Sequence, residues 1–329
     1  MDKLSLIVPI YGVEKYLPTC LDSIYSQIDD QCRVILVDDE SPDRCPEICE
    51  EYKAKYPEVT TVVHQKNKGL GGARNTGMEY ADSEYMFFID SDDYLPEGTI
   101  PYLLSAIDRF SADVFVFPFR LVDEEGKDLG SFSDGFETMK PTDAKKSKKI
   151  LTGIPSAWNK VCRTELYKSL GITFPARVWY EDIRTTPKLL SKAKSVVYLD
   201  REMYNYLQRE GSIMSSAKVE RNVEIIEALD DLIQWFKNDG SYEEYKDELD
   251  YLVIDHVLVS ASVRVIRSAG TKHPLLKKLR EFTENNCSSF KSGKNPYVLA
   301  SMPKSRKLIY SLLRKKLYFA VSLIYKIKK

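Results

Sequence analysis

Carboxylates crowd three short stretches of this 329-residue chain: Asp38-Asp39-Glu40, Asp90-Ser91-Asp92-Asp93 and Glu181-Asp182. The first two follow directly on apolar runs, Arg33–Val37 and Tyr85–Ile89, that read as strands. Like charges so close together need a cation or a proton to coexist. Acid clusters of this kind suit a hard divalent ion that bridges protein and phosphate oxygens. The plainer alternative is that acids open the following helices as caps and dipole partners. That suffices for Asp43, but one cap does not require Asp90, Asp92 and Asp93 together. Glu181-Asp182 has the residue types of a general base and its partner, and on spacing alone equally suits a helix start before Ile183 and Pro187.

A glycine-rich segment, Gly69-Leu70-Gly71-Gly72-Ala73-Arg74-Asn75-Thr76-Gly77, sits between a strand and a helix. It matches neither G-x-G-x-x-G nor G-x-x-x-x-G-K-[ST]. It offers backbone N–H groups and Arg74 at a helix N-terminus, a fair anion site.

The elements that must position these residues alternate strand and helix through the first ~120 residues, the pattern of a mostly parallel sheet. Strands are expected at Leu4–Ile10, Arg33–Val37, Thr60–His64, Tyr85–Ile89 and Asp113–Phe117. Helices are expected at Val13–Ile28, Asp43–Tyr56 (capped by Ser41 or Asp43), Leu70–Ala81 and Pro96–Phe110. In such a sheet ligands bind at the carboxyl ends of the strands, where the acids fall. Residues 122–149 read as a hairpin and mobile loop, and 154–200 as mixed short elements. From Ala217 the period becomes helical, with stripes over Val223–Phe236 and Leu249–Ile266.

Lys and Arg number 48 against 49 Asp and Glu, a net charge of -1 that argues against a general nucleic-acid binder. Residues 301–329 nevertheless carry nine basic and no acidic residues, leaving -10 on the rest. A helical wheel from Lys307 gathers Leu308, Ile309, Leu312, Leu313, Phe319 and Leu323 on one arc, with Lys307, Arg314 and Lys315 opposite. This predicts one basic amphipathic helix lying on an anionic membrane, the alternative being a final helix packed on the appendage or a dimer interface. The N-terminus shows no signal-peptide pattern and no run reaches the length of a span, so a cytoplasmic location is expected. The six cysteines form no C-x-x-C pair and are expected to be reduced and buried. His64, His256 and His273 lack ligand spacing and read as structural.

Six segments, in order, resemble the family 2 glycosyltransferases, inverting enzymes of the GT-A fold. They are Ile7–Tyr11, Val37-Asp38-Asp39 with Ser41 and Asp43, Gly71–Gly77, Phe88–Asp93, Trp158-Asn159-Lys160 with Tyr180-Glu181-Asp182, and Tyr204–Ile213. The general style is that of bacterial capsule, exopolysaccharide and wall-glycan transferases. The resemblance implies a GT-A domain over residues 1–215; the helical periodicity adds an appendage over 216–300 and the tail helix over 301–329. It implies that Pro9, Tyr11 and Asp39 line the nucleotide base, with Asp39 suited to uracil. It places Arg74 near base or phosphates and Asp90-Ser91-Asp92 at ribose and metal. The metal, Mn²⁺ or Mg²⁺, would be held among Asp92, Asp90 and Asp93. Asp182 becomes the base that takes the acceptor's proton, with Glu181 its partner. Trp158 is a sugar-stacking wall or core, and Arg209 and Ser212 close over the diphosphate. The implied partners are a nucleotide-sugar, a glycan or lipid-linked acceptor and an anionic membrane at the inner face of the plasma membrane; a homo-oligomer stays open. A degenerate, non-catalytic nucleotide-sugar or partner-binding module is the alternative. A nucleotidyltransferase would need a glycine-rich basic loop after the first strand, where Pro9-Ile10-Tyr11-Gly12 stands instead.

Overall fold

The computed structural model describes residues 2–209 and 219–327, with the side chain of Ile327 left aside. The chain divides into two compact units, Met1–Ser147 with Ile154–Glu210, and Lys148–Gly153 with Gly211–Lys329.

The first unit is built on a seven-stranded sheet. Its elements run β1 Leu4–Ile10, α1 Leu17–Tyr25, β2 Cys32–Asp38, α2 Cys45–Lys55, β3 Thr60–His64, α3 Gly69–Tyr80, β4 Tyr85–Phe88, α4 Thr99–Phe110 and β5 Val114–Val116. They continue with β6 Phe119–Val122, β7 Asp128–Phe132, β8 Lys160–Arg163, α5 Thr164–Leu170, α6 Thr186–Lys192, β9 Val196–Tyr198 and β10 Asn205–Leu207. The strand order is β3-β2-β1-β4-β8-β5-β9. All neighbours are parallel except β8, which runs antiparallel between β4 and β5. β1 is buried along its whole length, as expected of a strand covered on both faces, which is why it reads as an unbroken apolar run. A small second sheet, ordered β10-β6-β7, contains the expected hairpin, since β6 and β7 pair antiparallel.

Boundaries shift where turn chemistry intervenes. α1 starts at Leu17 rather than Val13, because Val13–Tyr16 closes a turn and Pro18 occupies the first helical turn. Arg44, not Ser41 or Asp43, is the N-cap of α2. Asp43 still serves that end, accepting the N–H of Cys45 at 3.1 Å and of Glu14 at 2.9 Å.

The glycines of α3 are there for close packing. A Cβ on Gly77 would lie 2.2 Å from Ile7 Cγ2, and one on Gly71 would lie 2.3 Å from the Pro175 carbonyl oxygen. The Pro175 backbone is the harder neighbour to move. Gly71→Ala is therefore expected to cost about 1–3 kcal/mol, read as a lower urea midpoint at unchanged slope. Parent-like stability would show that segment 174–177 yields freely.

The second unit is helical: α7 Glu224–Asn238, α8 Lys246–Leu252, a π-helical stretch Val253–Ala261, α9 Ser262–Ala269, α10 Leu275–Asn286, α11 Pro296–Ala300, α12 Lys304–Arg314 and α13 Tyr318–Ile327. The tail differs from the single expected helix. It breaks at Lys315–Leu317, where Lys316 takes φ 61, so the two halves cannot share one wheel. Ile309, Tyr310, Leu313 and Val321 are buried, while Leu308, Leu317, Phe319 and Leu323 face solvent. Arg306 is tied to Asp255 at 2.6 Å and Ser260 at 2.8 Å. Among the described residues, no helix is long and apolar enough to cross a membrane. All six cysteines are buried free thiols.

Candidate active site

Strand β1 delivers Pro9, buried in the strand, and Tyr11, 54% exposed just beyond it. Strand β2 delivers Asp38 and Asp39, both buried. Asp38 accepts from Ser41 N–H at 3.2 Å and pairs with His64 Nδ1 at 3.0 Å, and His64 Nε2 reaches Glu50 at 2.9 Å. The Asp38 bond, then the Glu50 bond, raise the His64 pKa against the opposing effect of burial. His64 thus holds the end of β3 to β2. The Asp39 carboxylate accepts the N–H groups of Lys68 and Gly69, both at 2.8 Å, and Gln65 Nε2 at 2.7 Å. The anion at the start of α3 is therefore the chain's own Asp39.

Beyond β4 the acids separate into distinct environments. Asp90 Oδ1 accepts Arg74 Nη2 at 2.8 Å, and its backbone N–H donates to the Tyr204 hydroxyl at 3.0 Å. Asp92 Oδ2 accepts both Nε and Nη2 of Arg209, at 2.9 and 2.7 Å. Burial and the neighbouring Asp90 raise the Asp92 pKa, while Arg209 opposes the rise. Asp93 is buried, with Oδ1 on the Leu207 N–H at 2.7 Å and Oδ2 without a hydrogen-bond partner. Burial, and then Asp92 and Asp90, push its pKa well above the usual carboxylate range. Asp93 thus anchors β10 through the Leu207 N–H.

Arg74 ties this edge to the Glu181-Asp182 pair. It is 2% exposed and donates Nη1 to Glu181 Oε1 at 2.7 Å while Nη2 holds Asp90. Burial works against its charge, but Asp90 and Glu181 more than offset this and raise its pKa. Its guanidinium lies over the Phe174 ring at 5.4 Å, and Asn75 holds that segment through Phe174 O at 2.7 Å and Phe174 N at 2.8 Å. The pair sits on a turn that follows Tyr180, at φ 63, and leads into α6. Asp182 Oδ1 accepts the Ile183 N–H at 2.7 Å. Burial first, and the Glu181 charge second, raise the Asp182 pKa to about 7. A carboxylate poised there can take a proton near neutral pH.

Trp158 is mostly buried, stacked on Tyr204 at 4.6 Å and Tyr206 at 5.2 Å and edge-on to Phe119 at 4.6 Å. It is a core ring beneath the site. Ser212 lies outside the described residues. Sequence reasoning gave no role to Lys160, although it quoted the motif that contains it. Its buried ammonium donates to Ile154 O at 2.6 Å, Ser156 O at 2.9 Å and Asn159 Oδ1 at 2.6 Å, and burial lowers its pKa to about 8. The three acceptors match the three donors of the ammonium, so Lys160 fixes the loop bearing Trp158. Among the described residues no group of three or more His, Cys, Asp or Glu is placed to hold a metal ion. A Mg²⁺-like ion needs only one or two carboxylates when substrate phosphates complete its shell, so Asp90 and Asp92 fit as donors.

A mostly parallel sheet presents its acids at the carboxyl edge, with a bridging arginine and a carboxylate pair beside them. The profile of Glycosyl transferase family 2 matches residues 5–171, and the chain belongs to that family. Glycosyltransferase GlyA of Streptococcus pneumoniae is 31% identical over 225 residues, which are 64% of this chain and 31% of GlyA. This chain thus spans under a third of GlyA's length. The uncharacterized glycosyltransferase EpsJ of Bacillus subtilis is 25% identical over 328 residues, 98% of this chain and 95% of EpsJ. The crystal structure of S. aureus TarS 1-349 in complex with UDP-GlcNAc superposes with a TM-score of 0.59 at 25% identity, covering 89% of this chain and 92% of that one.

Proposed function

We propose that this chain moves a sugar from a UDP-sugar to a hydroxyl of a glycan or lipid-linked acceptor, with inversion, in the synthesis of a bacterial surface polysaccharide. The observation that carries this reading is the single guanidinium of Arg74 spanning Asp90 and Glu181. It brings the donor-side acids and the base pair to opposite sides of one side chain. The acceptor oxygen forms a bond to the anomeric carbon as the bond from that carbon to the diphosphate breaks. Asp182 receives the hydroxyl proton, and UDP departs from the opposite face. Glu181, held by Arg74, supplies the charge that keeps Asp182 basic. Pro9, Tyr11 and Asp39 form the base end of the donor site. A Mn²⁺ or Mg²⁺ ion held by Asp92 and Asp90 would neutralise charge on the leaving diphosphate. Arg209, which now neutralises Asp92, would turn to the diphosphate instead.

The test is thermal stabilisation by UDP-sugars with Mn²⁺, since selective binding to the folded state raises its apparent stability. At a ligand concentration 100-fold above Kd the gain is about 2.7 kcal/mol. Asp92→Ala should abolish the Mn²⁺-dependent part and the transfer. Full turnover in that variant would overturn the assignment of Asp92.

The same reading places the protein peripherally on the inner face of the plasma membrane. Its support is the exposed set Leu308, Leu317, Phe319 and Leu323 beside exposed Lys315 and Lys316. Each such cation adds about 1 kcal/mol of attraction at an anionic surface. Phe319, 70% exposed, can be replaced by glutamate without opening the core, unlike Leu313. Phe319→Glu with Leu323→Glu should reduce co-sedimentation with phosphatidylglycerol vesicles severalfold and leave the melting temperature unchanged. Undiminished co-sedimentation would remove the tail from membrane contact.

A further inference from the structure

The first unit carries an open recess of about 680 Å³ that involves none of the acids described above. Its floor includes Pro118 and Leu199, the residues by which the chain leaves β5 and β9. Both strands run parallel to β1–β4: β8 is antiparallel to β4 and to β5, and β9 is parallel to β5. The recess therefore opens off the same carboxyl edge as the acid-rich site, where ligands of such sheets bind. It lies on the β5–β9 half, while the proposed nucleotide residues lie on the β1–β4 half.

Its walls have the chemistry of sugar recognition. Phe132, on the edge strand β7, is 40% exposed and is braced from behind by Phe119, stacked at 5.4 Å and 22°. An exposed ring held in one orientation offers an apolar face for sugar C–H groups at little ordering cost. Around it stands a fixed polar array. Arg120 donates Nε and Nη2 to Glu202 Oε2 at 2.9 and 2.6 Å, and Ser131 donates to the other oxygen of the same carboxylate. Arg201 is fastened to Glu97 O at 2.9 Å, and Asp200 accepts the Tyr102 hydroxyl at 2.6 Å. These groups keep unused donors and acceptors and are already ordered, as binding of hydroxyl groups requires. Arg120, Arg201, Asp200 and Glu202 give the lining no net charge, and Asp128 stands outside it, 3.6 Å from Arg120. A polyanionic chain would need an excess of cations.

We propose that this recess is a subsite for a neutral glycan chain, holding the acceptor at a point away from the reacting hydroxyl. The proposal rests on the transferase reading and specifies its acceptor as an uncharged oligosaccharide whose ring stacks on Phe132. Phe132→Leu keeps apolar cover over Phe119 but removes the ring, and Phe132→Trp keeps a ring.

The experiment is calorimetric titration of the full chain with cellohexaose, maltohexaose and chitohexaose, with poly(ribitol phosphate) as the charged comparison and UDP as the donor-site probe. At least one neutral hexasaccharide should bind saturably, about tenfold more weakly in Phe132→Leu and close to parent in Phe132→Trp, with UDP affinity equal in all three. Absence of binding by every neutral hexasaccharide, indifference to Phe132→Leu, or preference for the polyanion overturns the subsite. Loss of UDP binding by the parent chain speaks against the donor reading alone, because the hexasaccharide arm is scored without it.

Discussion

Replacing Asp182 with asparagine lowers transfer by about 10²–10⁴-fold, the usual contribution of a positioned base, and makes the donor-free protein more stable above neutral pH. The second half follows from the raised pKa. An unfolded aspartate loses its proton near pH ~4, whereas Asp182 in the folded chain holds its proton to about 7. Stability from the protonated carboxyl is complete below the unfolded value and is lost as pH rises through that window. At pH 8 the parent carries the cost of a desolvated charge beside Glu181, and Asp182→Asn does not. The melting temperature should then rise by about 2–4 °C per kcal/mol recovered, and the difference should vanish toward pH 4. The rising limb of the transfer rate against pH should sit near neutrality in the parent. Retained activity in Asp182→Asn removes it as the base. Lower stability at pH 8 removes the explanation for its pKa.

Arg74→Gln should be the most damaging single change in the first unit. It leaves Asp90 and Glu181 without their shared counter-ion in a largely buried setting. Breaking a buried pair costs about 3–5 kcal/mol, and here one cation serves two carboxylates. The loss should be read as a lower urea midpoint at unchanged slope. Arg74→Lys keeps a charge but cannot make two divergent bonds from a planar fork. It should recover part of the stability and little of the UDP-sugar binding. A parent-like melting curve for Arg74→Gln would show that the bridge contributes nothing.

The parts of this molecule that could be read along the chain are those governed by neighbours in sequence. β1 to β5 fall within a residue or two of the expected runs because each is a short run rich in aliphatic, β-branched or aromatic residues. The acids at the ends of β2 and β4 were equally plain. What stayed hidden depends on residues far apart. β8 offers only Lys-Val-Cys-Arg, too short to show a period, and its place between β4 and β5 is set by tertiary pairing. Arg74 reads as an anion site beside glycines, yet its partner Glu181 lies 107 residues away. Asp39 is matched by the resemblance to the nucleotide base, yet the start of α3 already engages it. Trp158 became a core ring once Tyr204 and Tyr206 were brought against it. The tail wheel assumed a constant turn per residue, and one positive φ at Lys316 resets the phase.

The antiparallel strand in the middle of the sheet also constrains how the chain can be made. As the polypeptide emerges from a ribosome, β1 to β4 can assemble early, but the second edge of β4 waits for Val161–Arg163. β5 is in a harder position, because both of its neighbours, β8 and β9, come later. A nascent chain halted near residue 150 would therefore display two apolar strands with open hydrogen-bonding edges, the kind of surface that recruits other strands. The polar hairpin β6–β7 is synthesised during that interval. Its synthesis delays closure of the sheet until β8 arrives.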